Sequence, residues 1–170
     1  MKHTISILLE NRFGAFDRVA NLFSGKGFNL HSITIGETEI KDVMRMTIVT
    51  SGDDQIVDQV LKQLNRLVDT LKVVDLTEHE RTERELALIT VSYQKGNLQE
   101  LKNISDIFRG KIVDINNKSI MFEITGPPVK INAAVNVLMP YGIKEMARTG
   151  TVALKRGEQI NVAKPDLEPV

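Results

Sequence analysis

The residues best suited to chemistry lie in the turn Glu10-Asn11-Arg12-Phe13-Gly14, which follows an alternating strand and precedes an amphipathic helix. The first amides of a helix lack intrahelical acceptors, and glycine lets a ligand approach the backbone closely. With the Asn11 amide beside them, these groups suit the carboxylate of a small acid or amino acid. The pattern indicates a sensor site. A structural interpretation, in which Asn11 caps the helix and Gly14 relaxes the turn, stays open.

A second polar residue, Asn29, follows Gly25 and Gly27 at the start of the next strand. In a dimer built by pairing strands, Asn29 could face the neighbour's turn. Without a partner it is an ordinary turn residue.

Catalytic and metal chemistry have little support in the sequence. The histidines His3, His31 and His79 are scattered and lack a second ligand at metal spacing, so surface or structural roles are favoured. The chain has no cysteine, which excludes a thiolate nucleophile and cysteine-ligated metals. Gly25-Lys26-Gly27 lacks the spacing and the Ser or Thr of a phosphate loop, and no serine sits in a nucleophile elbow.

Two charged stretches have simple interpretations. Residues 78–85 mix both signs of charge and are expected to form a solvated face or the exposed entry to a strand. Near the end of the chain, Arg148, Lys155 and Arg156 cluster with glycines. They form either an ordinary polar terminus or a docking edge for an acidic partner.

Composition narrows the class of protein further. The 170 residues include 22 Lys plus Arg and 22 Asp plus Glu, so net charge gives no support to a nucleic-acid partner. The N-terminal segment is too polar for a signal peptide, and no apolar run approaches the roughly 20 residues of a membrane span. We therefore expect a soluble, cytoplasmic protein.

Periodicity predicts the order βαββαβ twice. In the first half, alternation marks strands near residues 5–9, 30–35, 44–48 and 71–76, and helical spacing marks residues 16–23 and 56–67, with Asp53 or Asp54 as N-cap. The second half repeats this order through LALITVSY, a helix over 98–108, KIVDI, SIMFEIT, a helix over 129–138 and a last strand over 142–147. The predicted fold class is α+β, with two ferredoxin-like units.

The predicted domains are residues 1–77 and 86–160, joined by a linker at 78–85 and followed by a mobile tail at 161–170. Each unit should be a four-stranded antiparallel sheet with both helices on one face. The other face needs cover, and side-by-side dimerisation would supply it.

Together, LLENRFGAFDRVANLFSGKGFNLHSITIG, RMTIVTSGDDQIVDQVLKQLNRLVDTLKVVDL, RELALITV, FRGKIVDI and PYGIKEMARTGTVALKRG resemble the small, regulatory subunit of acetolactate synthase (acetohydroxyacid synthase). In that family the first half is an ACT domain. The resemblance implies a subunit without its own active site or cofactor. Its partner is a large catalytic subunit that carries thiamine diphosphate, magnesium and flavin adenine dinucleotide and serves branched-chain amino acid biosynthesis. The small subunit raises the partner's activity and confers feedback inhibition by valine.

The resemblance also implies a valine site at a homodimer interface. One ACT domain would contribute Asn11, Gly14, Ala15 and Phe16, and its dimer mate would contribute Asn29, Leu30 and Ile33. Two departures from the family pattern stand out. Residues 40–43 replace a turn that often holds Pro or Gly, which we expect to alter only a hairpin, and Asn103 stands where many members have a basic residue.

An amino-acid-sensing ACT-type transcriptional regulator is the alternative function. It would need a recognition helix and a basic face, and the sequence offers no separate helix-turn-helix. A stand-alone acylphosphatase-like enzyme would need an arginine-bearing phosphate loop that ENRFG does not reproduce.

Overall fold

A computed structural model of the chain describes residues 1–24, 29–94 and 96–157. The chain divides into two compact units. The first unit comprises Met1–Thr82 with the described residues from Thr151 on, and the second comprises Glu83–Gly150. Gly25, Lys26 and Gly27, and the predicted tail at 161–170, lie outside the described residues.

The first unit contains β1 (Lys2–Glu10), α1 (Ala15–Ser24), β2 (Asn29–Glu37), β3 (Val43–Ser51), α2 (Asp54–Leu64) and β4 (Thr70–Asp75). The strands form an antiparallel sheet in the order β2-β3-β1-β4. The predicted βαββαβ order is confirmed, and β2 and β4 are its edge strands.

The core of the first unit lies between one face of this sheet and both helices. One side of α1 is buried, and the residues on it are spaced i, i+4, i+8: Ala15, Val19 and Phe23. In α2 the N-cap is Asp53, whose side chain accepts a hydrogen bond from the Gln55 amide at 2.9 Å. Alternate strand residues meet these helices: Ile5, Ile7, Leu9, Met46 and Ile48.

The opposite face of the first sheet is also covered within the chain. Ser6, Leu8, Thr47 and Val49 on that face are all buried within the single chain, so the expectation that this face needs dimerisation to cover it is wrong at these residues. A ninth strand, β9 (Val152–Lys155), was not predicted. It lies against β1 and pairs with β5 (Arg81–Ser92), and the Arg156 amide next to it donates to the Glu80 carbonyl at 2.8 Å.

The second unit repeats the architecture. Its elements are β5 (Arg81–Ser92), α3 (Leu98–Ile107), β6 (Lys111–Ile115), β7 (Ser119–Gly126), α4 (Pro128–Leu138) and β8 (Ile143–Arg148). The sheet order is β6-β7-β5-β8, and both helices pack on one face, against alternating core residues of β5 and β7. On α3, Asn103 accepts a hydrogen bond from the Gln99 side chain at 3.1 Å. The α+β fold class with two ferredoxin-like units is confirmed.

The bounds of the units differ from the predicted domains in two places. Arg81, inside the predicted linker, begins β5, and the second unit ends at Gly150 rather than at 160. In both places strand pairing with residues far along the chain decides the structure, and local composition does not reveal such pairing.

Candidate functional site

The turn between β1 and α1 is held by backbone hydrogen bonds between residues two or three positions apart. The Arg12 amide donates to the Glu10 carbonyl at 2.8 Å, and the Ala15 amide donates to the Arg12 carbonyl at 3.1 Å. Between them Gly14 adopts φ +79°, a left-handed conformation that glycine accepts without steric cost. The local sequence therefore explains the geometry, and the backbone conformation at this position favours glycine.

The first amides of α1 and the amide of Gly14 before it are mostly without a hydrogen-bond acceptor in the described part of the chain. The first helical hydrogen bond runs from the Arg18 amide to the Gly14 carbonyl at 3.1 Å. The amides of Gly14, Phe16 and Asp17 have no acceptor among the residues that the structure describes. Phe13 is fully exposed, and Phe16 is partly so. A helix N-terminus with unpaired amides, an arrangement that favours anions, thus lies beside exposed apolar side chains.

The predicted residues of this turn differ in what they can offer a ligand. Asn11 has an exposed side chain, and its backbone amide donates to the Asp42 carbonyl at 2.7 Å. Ala15 is buried, so only its backbone can reach a ligand. Asp42 lies in the connection between β2 and β3 and adopts φ +58°. The departure at residues 40–43 is therefore not confined to a hairpin, because this connection supports the candidate turn.

The predicted residues of β2 lie far from this turn within one chain. Asn29 pairs with Ser51, which pairs with Lys2 at the first end of β1, while the candidate turn follows Glu10 at the other end. Eight residue steps along a strand span about 27 Å. Asn29 and Leu30 are exposed on the edge strand, next to a bulge at His31.

Ile33, the third predicted residue of β2, packs against the core of the first unit. The structure thus brings Asn11, Gly14, Ala15 and Phe16 together, and it places Asn29, Leu30 and Ile33 elsewhere in the same chain.

Sequence reasoning missed an ion pair beneath the turn. The Nε and Nη2 atoms of Arg18 both lie 2.6 Å from Oδ2 of Asp69, and the Asp69 side chain is 4% exposed. The Asp69 carbonyl in turn accepts a hydrogen bond from the Glu10 amide at 2.9 Å. Arg18 and Asp69 are 51 residues apart in sequence. The local signal in the sequence is that Arg18 follows Gly14 by four residues, about one helical turn.

With this geometry established, known proteins give a consistent comparison. Residues 5–72 match the family model for the AHAS small subunit-like ACT domain, and residues 84–157 match that for the small subunit of acetolactate synthase. The probable acetolactate synthase small subunit of Archaeoglobus fulgidus is 48% identical over 159 residues, covering 94% of this chain and 99% of the relative. The small subunit of Aquifex aeolicus is 49% identical over 156 residues, covering 91% and 81%.

This chain belongs to the acetolactate synthase small-subunit family. A crystal structure of the small subunit from Thermotoga maritima agrees with this assignment, with a TM-score of 0.83, 41% identity and coverage of 94% of this chain and 99% of that one. Each candidate residue, and the pair Arg18 and Asp69, lies within the matched ACT domain.

Other polar groups of this small-subunit homologue have structural roles. His3 is buried, with Nδ1 3.0 Å from Asp75 and Nε2 3.2 Å from Asp54, which ties β1 to β4 and to the start of α2. His31 contacts the Ser51 hydroxyl at 3.1 Å. Among the described residues, no group of three or more His, Asp or Glu side chains could hold a metal ion.

The charged stretches are only partly solvated. Glu85, expected on a solvated face, is buried, and both its carboxylate oxygens accept hydrogen bonds of 2.7 Å from Arg148. These bonds raise the pKa of Arg148 above its ordinary value, and Nη1 donates to Asn132 at 3.0 Å. Arg148 is therefore engaged within the second unit.

Within residues 1–24, 29–94 and 96–157, no helix has the length and apolar character needed to cross a membrane.

Proposed function

We propose that this chain is the regulatory subunit of an acetolactate synthase, which senses valine and controls a separate catalytic subunit. Its membership of the small-subunit family supports the general role. The open turn at the start of α1 supports the sensing role, because it offers an amino acid a ready-made carboxylate site.

The observation that carries the proposal is the set of unpaired amides at Gly14, Phe16 and Asp17 beside the exposed Asn11. A carboxylate accepts hydrogen bonds from such amides and is favoured by the positive end of the helix dipole. The partly exposed Phe16 ring supplies apolar surface next to these donors. This combination suits a small amino acid with an aliphatic side chain.

A homodimer would complete the site. β2 is an edge strand, and an antiparallel two-fold pairing centred on Ile33 would place the Asn29 of one protomer opposite the Glu37 of its partner. Glu37 pairs with Met44, which pairs with Leu9 immediately before the candidate turn. In this register, a valine site near the turn would take Asn29 and Leu30 from the second protomer.

The chemistry belongs to the partner in this proposal. The large catalytic subunit would hold thiamine diphosphate, magnesium and flavin adenine dinucleotide, and this chain would add no cofactor. Binding of this chain to the catalytic subunit would raise that subunit's activity. Valine bound to this chain would reverse the effect through an allosteric coupling of about 1–3 kcal/mol. A biosynthetic role of this kind places the protein in the cytoplasm.

Reconstitution with the large catalytic subunit tests the proposal. Adding this chain should raise acetolactate formation, and valine should then lower it, whereas the purified chain alone should form none. In sedimentation experiments the chain should be a dimer that valine tightens. Turnover of pyruvate by rigorously purified chain, or a monomer at micromolar concentration with and without valine, would refute the corresponding part of the proposal.

A further inference from the structure

We propose that Arg18 is a positioning residue for valine, because its ion pair with Asp69 fixes the backbone of the candidate turn between Glu10 and Gly14, called the effector turn below. This inference rests on the proposed function and adds to it a residue outside the implied ligand contacts. It concerns how the unpaired amides are held in place before the ligand arrives.

The anchor of this arrangement is the Asp69 carboxylate. It is almost wholly buried, and two N–H groups of Arg18 converge on its Oδ2 atom at 2.6 Å. A buried carboxylate without a cation is costly, so Asp69 holds the guanidinium firmly. The Arg18 side chain itself is 43% exposed, whereas that of Asp69 is 4% exposed.

Arg18 contacts the turn through both its backbone and its side chain. Its amide donates to the Gly14 carbonyl at 3.1 Å, and Nη2 lies 3.5 Å from the Phe13 carbonyl. Nη1 lies 3.2 Å from the point that a Cβ atom on Gly14 would occupy. The guanidinium thus fills the space beside the glycine and limits how the turn can move.

Asp69 also fixes the start of the same turn, because its carbonyl accepts the Glu10 amide at 2.9 Å. The segment between Glu10 and Gly14 is therefore attached at both ends to one residue of the connection between α2 and β4. Preorganised donors bind more tightly, because the ordering cost is met before binding. Loss of the pair should leave the amides present but poorly aligned.

The pair has an electrostatic consequence as well. Arg18 neutralises a carboxylate that lies behind the site where a ligand's carboxylate would bind. Removing Arg18 alone should combine misalignment with repulsion between two carboxylates. Removing both charges should relieve the repulsion. A double-variant cycle therefore distinguishes this arrangement from a general loss of structure.

The test measures valine affinity by isothermal titration calorimetry on the full chain, with circular dichroism to verify folding. Arg18→Met should weaken valine binding about tenfold or more, and adding Asp69→Asn should recover only the part of that loss that comes from repulsion between carboxylates, because the turn stays misaligned. Arg18→Lys keeps the charge but lacks the planar pair of N–H groups that converge on one oxygen. Its affinity for valine should lie between that of the wild type and that of Arg18→Met.

Arg12→Met is the matched control, since Arg12 belongs to the same turn and carries the same charge. Its Nε atom pairs with Glu10 at 2.8 Å, and the Arg12 and Glu10 side chains are 66% and 15% exposed, against 43% and 4% for Arg18 and Asp69. This variant should bind valine within about twofold of the wild type. Equal losses in the Arg12 and Arg18 variants, or wild-type affinity in folded Arg18→Met, would overturn the inference. If Arg18→Met does not fold, wild-type affinity in folded Arg18→Lys would overturn it. If the wild type itself binds no valine, the proposed function fails and this inference fails with it.

Discussion

Replacing Gly14 with aspartate should abolish valine inhibition while leaving the chain folded. The residue adopts φ +79°, where a side chain costs about 1–2 kcal/mol, although aspartate accepts this region better than most residues. This strain is present with and without ligand, so it lowers the free energy of unfolding and leaves valine affinity largely unchanged. The effect on binding must come from the new carboxylate.

The structure allows the size of that effect to be estimated. The added Cβ atom would lie 3.2 Å from Nη1 of Arg18, so the new carboxylate would compete with Asp69 for the guanidinium and stand beside the open amides. At about 4 Å from the effector carboxylate, repulsion costs about 1 kcal/mol in water and about 4 kcal/mol at an effective dielectric constant of 20. Valine affinity should therefore fall roughly fivefold to several hundredfold, enough to remove a coupling of about 1–3 kcal/mol.

Gly14→Ala is the control, because it introduces the same backbone strain and a methyl group at the same point without a charge. Both variants should be reconstituted with the catalytic subunit and titrated with valine, with circular dichroism and thermal unfolding measured alongside. We expect inhibition to survive in Gly14→Ala and to disappear in Gly14→Asp. The electrostatic reasoning is refuted if the two variants lose inhibition equally. If folded Gly14→Asp is inhibited at the wild-type valine concentration, the effector site lies elsewhere.

Three further outcomes are expected. Asn11→Ala should weaken valine binding by one hydrogen bond, about 0.5–1.5 kcal/mol, and calorimetry showing unchanged affinity would remove Asn11 from the site. The hydrogen bond to Glu100 raises the pKa of Tyr141. The stability that this bond contributes is therefore complete below about pH 10 and is lost as the pH rises through the raised value. Phenolate absorbance, assigned with Tyr141→Phe, should titrate at lower pH in Glu100→Gln than in the wild type. Arg148→Met strands a buried carboxylate and should lower the urea-derived free energy of unfolding by about 2–4 kcal/mol, more than Glu85→Gln does.

Local sequence patterns predicted the order of elements and the candidate turn because both depend on neighbouring residues. Alternation marked β1 through Ile5, Ile7 and Leu9, and Gly14 marked the left-handed turn before α1. A candidate site built from a glycine, an asparagine and a helix start within a few residues can be proposed without a structure.

What the sequence did not reveal is non-local. The partners of Arg18 and Arg148 lie 51 and 63 residues away, so Glu85 looked like one more member of a solvated charge run. The short strand β9 was missed because four residues give too little periodicity and its pairing partner lies far along the chain. Only the folded arrangement shows which charges are paired.

Under the proposed valine-sensing role, the hydrogen bond from the Asn11 backbone amide to the Asp42 carbonyl would let the hairpin between β2 and β3 influence the feedback threshold. Hairpin connections tolerate changes in length and composition more readily than the strands they join. Substitutions or insertions near Asp42 would shift the backbone of the effector turn without replacing any group that contacts valine. Sensitivity to the end product can then drift between lineages whose ligand-contacting residues are identical, and strains with relaxed feedback can be sought in this loop as well as in the site itself.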